Sequence, residues 1–164
     1  MRYLPGRAFP PYAFLPGSGH HPTRDPRGHS FGREEEEPQY FEADQWRENA
    51  DYLYGIDLYN HGYLWEAHEA WEGIWHKAKG DPPQAKFLQG LIQCAAACLK
   101  IPMLQPRGLE SLSKLGCAKI GAVAEEQGPS YMGLDALDFA RDLREFALGV
   151  PESIDERPRL EVEL

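Results

Sequence analysis

The stretch Asn60-His61-Gly62-Tyr63-Leu64-Trp65-Glu66-Ala67-His68-Glu69-Ala70-Trp71-Glu72-Gly73-Ile74-Trp75 decides the reading of the fold. At 100° per residue, Leu64, His68, Trp71, Glu72 and Trp75 fall within a face about 100° wide. This predicts a helix from about Tyr63 to Ala78 with that face turned to a core. A buried carboxylate without a partner is very costly, and a buried imidazole needs its ring nitrogens satisfied. The face therefore calls for polar partners on neighbouring helices.

The next helix supplies them. Asp81-Pro82-Pro83 places an N-cap before proline at the first helical position, and Pro102 stops the helix after about Lys100. Gln89 and Gln93 are four apart on the face that carries Ala96, and Gly90 and the alanines let helix backbones approach. Asn60 ends the preceding helix. The prediction is a buried polar cluster of Asn60, His68, Glu72, Gln89 and Gln93 between three helices.

The pattern Asn60-x-Gly62-x-x-x-Glu66-Ala67-His68-Glu69-x-x-Glu72-x-x-Trp75, followed by Gln89-Gly90-Leu91-Ile92-Gln93, resembles the domain of unknown function 309 family. The resemblance covers roughly residues 45–125. It implies a small all-helical protein with a polar site. It supplies no catalytic residues, because none is established for that family. One departure is visible: Pro106-Arg107-Gly108 stands where a Gly-Asn pair would open the fourth helix.

Working outward, the first helix is read from about Pro38 to Asn60, with Trp46, Ala50, Leu53 and Ile56 on one face. Acidic Glu34–Glu37 and Pro38 mark its start, and Gly62 is its C′ residue. The fourth runs from about Pro106 to Glu125 with Leu109, Leu112, Leu115, Ile120 and Val123 on one side. The fifth runs from about Leu134 to Leu148, its stripe formed by Ala136, Phe139, Ala140, Leu143, Ala147 and Val150. Short loops predict antiparallel neighbours. The fold class is all-α: a compact bundle of four to five helices with an extended Pro/Gly-rich N-terminal arm. Three regions follow: the arm and acidic boundary (1–37), the helical domain (38–150) and a C-terminal tail (151–164). The tail alternates over Arg159–Leu164 but follows Pro158, and is read as a frayed end.

Residues 1–33 hold six prolines and five glycines, which bar a helix or central strand. They also hold Tyr3, Phe9, Tyr12, Phe14 and Phe31, too many aromatics for a simple linker. An arm laid along the domain surface accounts for both, and Trp65, pointing away from the core face, is a seat for it. The arm carries five arginines and one aspartate, and the other residues 12 basic and 25 acidic side chains, so +4 faces −13. An acidic body repels nucleic acid and anionic membrane.

With 42% apolar and 26% charged residues the 164-residue chain is not disordered. It has no apolar run long enough for a membrane span and no signal-peptide h-region. Cys94, Cys98 and Cys117 are odd in number and lack a CxxC, which argues against a disulfide framework or zinc finger and points to the cytoplasm. Cys94 and Cys98, four apart, read as buried apolar packing.

Two functions compete. In the first, the chain is a non-enzymatic binding or structural module whose His/Glu/Gln cluster fixes helix register and whose surface takes a partner, a second copy included. In the alternative, it is a metal-dependent or acid–base enzyme, hydrolase-like, acting on a small molecule with His68 and Glu72 as catalytic candidates. His68-Glu69-x-x-Glu72 is one residue from the zincin pattern, with Glu72 where the second histidine would stand. A divalent metal ion is the cofactor such a face would take, through His68, Glu72 and Glu69. Glu66 and Glu69 otherwise read as acidic groups at a helix start, and His21, Asp25 and His29 as arm residues able to cap a metal or cover the cleft.

Overall fold

Asn49 begins the first α-helix by accepting the Tyr52 N–H at 3.1 Å through its side chain. The structure, a computed structural model, describes residues 1–164. Five helices follow in order: α1 (Ala50–Asn60), α2 (Leu64–Lys77), α3 (Pro82–Leu99), α4 (Pro106–Gln127) and α5 (Ala136–Leu148). Each packs against the next, α1 on α2, α2 on α3, α3 on α4 and α4 on α5. The fold is all-α, and no helix is long and apolar enough to cross a membrane.

Local chemistry sets the boundaries. Gly62 turns the chain out of α1 at φ +85°, a conformation glycine adopts without Cβ strain. The Asp81 side chain accepts the Gln84 N–H at 3.3 Å ahead of Pro82 and Pro83. Asp135 accepts the Asp138 N–H at 3.0 Å to start α5. The core gathers Tyr52, Ile56 and Tyr59 of α1, Trp71 of α2, Phe87 and Leu91 of α3, Ile120 of α4 and Leu143 of α5. Between α3 and α4 the backbones nearly touch. A Cβ on Gly116 would stand 2.8 Å from both the Gly90 carbonyl oxygen and the Cys94 sulfur.

The first helix is shorter than predicted. Residues 38–42 are extended and a short 3-10 turn (Ala43–Gln45) precedes Asn49. The extended stretch is held along the α2–α3 corner, where Gln84 donates to the Phe41 carbonyl at 3.1 Å and Pro38 lies against Gly73. Those contacts compete with helix propagation, and the Asn49 cap wins. On α4, Leu115 is exposed. Val150, placed on the α5 stripe by its spacing, lies beyond Gly149 at φ +48° and is also exposed.

A two-stranded antiparallel ribbon, absent from the sequence reading, links α4 to α5: β1 (Ser130–Tyr131) and β2 (Leu134–Asp135). Met132 and Gly133 turn it with φ +47° and +76°, the two positive values that a two-residue hairpin of this twist needs. The Tyr52 hydroxyl donates to the Met132 carbonyl at 3.0 Å and holds the turn on the core.

The C-terminal tail is docked, contrary to its reading as a frayed end. Leu160 and Val162 are buried, and Val162 bridges to Leu134. Asn60 donates to the Leu160 carbonyl and accepts the Leu160 N–H, both at 2.8 Å. Alternation puts Leu160 and Val162 inward, so the period-2 pattern was real but its partners lay about a hundred residues away. Asn60→Ala would leave two backbone groups of the tail unpaired, and we expect a loss of about 2 kcal/mol. Urea unfolding checks this; a midpoint unchanged within error would show that the tail contributes nothing.

Candidate functional site

The buried stripe of α2 is Leu64, Ala67, Trp71 and Ile74, with Glu66 on the flank that meets the arm. His68 and Glu72 lie about one residue around the helix from that stripe. They are therefore surface groups, with side chains 22% and 44% exposed, and not members of a core cluster. The small Ala67 takes the position against the neighbouring helix that the predicted face had given to His68.

Of the five predicted cluster residues, only His68 and Glu72 come together. Asn60 holds the tail. Gln93 accepts from the Lys119 ammonium at 2.9 Å on the α3–α4 side, and Gln89 is half-buried on α3. A register-fixing His/Glu/Gln network between three helices is not formed.

His68 instead centres a cluster on one helix. Its Nδ1 lies 2.5 Å from the Trp65 carbonyl oxygen, which fixes the proton on that nitrogen. Its Nε2 stands 3.1 Å from a Glu69 carboxylate oxygen and 3.8 Å from one of Glu72. One potential ligand atom from each of the three residues fits within 4.8 Å of the others. His76 adds a second imidazole, its Nε2 3.9 Å from the other Glu72 oxygen. Burial pulls the His68 pKa down, but the Glu69 carboxylate, the Trp65 carbonyl and Glu72 outweigh it, so the net shift is upward.

A second constellation joins the arm to the body. Glu66, buried at 6% exposure, accepts the Phe14 N–H at 3.0 Å and meets His29 Nε2 at 3.0 Å. Its role is therefore to hold the arm, beyond the helix-end interaction expected of it. Asp57, fully buried, accepts the Tyr3 and Leu4 N–H groups at 2.8 and 2.9 Å, with Arg2 Nε at 3.5 Å. Trp65 meets Phe14 edge-on, ring centres 5.4 Å apart, so it does seat the arm.

Ser30 Oγ lies 2.7 Å from His29 Nδ1, which gives Ser30–His29–Glu66 the connectivity of a nucleophile, base and acid. The Ser30 N–H is bonded to the Pro22 carbonyl and the Phe31 N–H to that of Gly28, so neither is free to face an oxyanion, and the His29–Glu66 contact ties the arm to α2. The arm residues His21, Asp25 and His29 do not converge. His21 Nδ1 accepts from the Thr23 and Arg24 N–H groups, Asp25 pairs with His20 and Arg27, and His29 faces Glu66.

The cysteines are free and buried. Burial pushes the Cys98 thiol up to about 12, where it is not a nucleophile at neutral pH. A cleft of about 990 Å³ lies between Tyr3, Trp46, Arg47, Asn60 and the tail, and His68 does not line it.

Spacing alone could not have found Asp57 or the His29–Glu66 pair, since each joins residues at least 37 positions apart. The one available signal was a carboxylate at Asp57 on the apolar side of α1, next to Ile56 and Leu58.

Residues 52–112 match the family model of a domain of unknown function, DUF309. The DUF309 match runs from α1 into α4 and contains both motifs, the His68 cluster, Asp57 and Glu66. The arm, the hairpin, α5 and the tail lie outside it. No curated protein and no solved structure matches the chain.

Proposed function

We propose that this protein is a non-enzymatic helical binding module whose α2 surface takes a divalent transition-metal ion through His68, Glu69 and Glu72. The observation that carries the proposal is the orientation of His68. Its Nδ1–H is committed to the Trp65 carbonyl, so Nε2 is the nitrogen that faces the two carboxylates, as a donor while the ring is charged and as a ligand once it sheds that proton. Metal-bound histidines are held in this way, the second nitrogen donating to a backbone carbonyl or carboxylate. One imidazole and two carboxylates suit zinc, nickel or manganese, with water completing the shell.

Calorimetric titration of chelator-treated full-length chain with Zn²⁺ and Ni²⁺ tests the reading. One equivalent should bind, and His68→Ala should weaken binding roughly tenfold or more, with Glu72→Gln intermediate. Equal binding by His68→Ala, or no heat at all, would overturn the proposal. The sign of the pH effect follows from the upward shift of His68. The fold favours its charged form, so its contribution to stability is full below the ordinary value of about 6.5 and is lost as pH rises through the higher folded value. Metal uptake runs the other way: it should strengthen as pH rises through that value, because the ligand must shed a proton.

A further inference from the structure

We propose that the α1–α2 face is a peptide-binding groove that the arm occupies in cis, and that its ligand class is a non-helical, proline-bearing segment with arginine and aromatic side chains. The proposal is independent of the metal reading.

Residues 2–14 lie on this face as a ligand would. They form no helix and pair with no strand of the body. Their anchors are main-chain donors: the Tyr3 and Leu4 N–H groups go to Asp57 on α1, and the Phe14 N–H to Glu66 on α2. Both carboxylates are buried, and without the arm each would be a charge lined by apolar surface and stripped of donors. Two carboxylates that accept main-chain N–H groups fix the register of an extended chain whatever its side chains.

Side chains supply the selectivity. Phe9 stacks on Tyr63 with ring centres 4.8 Å apart, and Phe14 meets Trp65. The Arg7 guanidinium lies 3.9 Å over the Tyr54 ring and pairs with Asp51 at 2.8 Å, while the Tyr54 hydroxyl donates to the Ala8 carbonyl. Prolines at 5, 10 and 11 fix φ and lower the entropy lost on docking, and Pro5 sits in a turn closed by the Arg7 N–H on the Leu4 carbonyl at 3.1 Å. The +4 arm on the −13 body gives long-range attraction of the right sign. The connection to the body, residues 32–37, is exposed throughout and begins at Gly32 with φ +70°. The arm is thus tethered by a segment that does not itself pack into the groove.

The test uses the full chain with a site-specific protease sequence inserted between Glu35 and Glu36, cut after folding. A fluorescent synthetic peptide of residues 1–31 is then titrated and followed by anisotropy. Saturable binding is expected, competed by unlabelled peptide. The uncut chain should bind at least about tenfold more weakly, because its own arm is present at high effective concentration. N-methylation at Tyr3, Leu4 and Phe14 removes the main-chain donors to Asp57 and Glu66 without touching the protein, and should weaken binding roughly tenfold or more. Three results would each overturn the proposal: no binding at about 100 μM peptide (a Kd weaker than the μM range), equal binding of N-methylated or scrambled peptide, or loss of the helical circular dichroism signal when the cut arm dissociates.

Discussion

Asp57→Ala should destabilise the protein by about 3 kcal/mol and free the start of the arm. The carboxylate is fully buried, and its removal strands the Tyr3 and Leu4 N–H groups and leaves Arg2 without its partner. Each buried donor left unpaired costs about 1–3 kcal/mol, and rehydration of the released arm limits the total. For a chain of this size that corresponds to a fall in Tm of roughly 6–12 °C. Asp57→Asn keeps one acceptor oxygen and should lose about half as much. Thermal melts of both variants, with hydrogen exchange read at Tyr3 and Leu4, check the result. A shift below about 2 °C in the alanine variant would mean that the arm does not depend on this carboxylate.

Gly55→Ala should be at least as damaging, for a steric reason. A Cβ at this position in α1 would stand 2.1 Å from Trp71 Nε1 and 2.6 Å from two further indole atoms. Trp71 is fully buried, and its Nε1–H donates to the Tyr52 carbonyl at 3.3 Å, so the ring has nowhere to go. Overpacking a dense core costs about 1–3 kcal/mol and more where rigid groups meet; here about 3 kcal/mol or more is expected. Trp71→Ala removes the whole indole, and with it the atoms that clash. It should cost something alone but should relieve Gly55→Ala by at least about 1 kcal/mol in a double-mutant cycle. Urea midpoints at unchanged m-value provide the measurement, and strict additivity would show that the helices simply move apart.

Much of the fold was legible because its signals are local. Asp81-Pro82-Pro83 and Gly62 set helix ends through chemistry within one turn, and the α5 stripe from Ala136 to Ala147 follows from spacing alone. The misreadings have a common origin in distance. The Pro38 start was plausible on its own residues and failed because Gln84, 43 positions on, holds the Phe41 carbonyl. The tail reads as frayed until Asn60 is brought beside Leu160. Met132 at a positive φ gives no hairpin warning, since an apolar residue is a poor guide to a turn that usually calls for asparagine or glycine.

The site was legible in its residues but not in its setting. His68, Glu69 and Glu72 do meet: Glu72 is four residues from His68 and three from Glu69, both neighbouring positions on a helix surface, and the His68 ring reaches Glu69 across the remaining gap. That they meet at the surface turns on Ala67, a residue too small to have drawn attention, and on Trp71, which fills the interior beside Gly55. Glu66 belongs to the same motif yet serves the arm, a task that depends on His29 and Phe14 and so could not be read from the motif itself.

The Tyr3 hydroxyl accepts the N–H of Val162 at 2.9 Å, across a sequence separation of 159. That hydrogen bond links the arm to the tail beside α1, which holds the arm through Asp57 and the tail through Asn60. Thermal fraying ordinarily begins at the ends of a chain. Here the arm cannot peel without loosening the tail, and the tail cannot peel without loosening the arm, so what are usually two independent local openings become one.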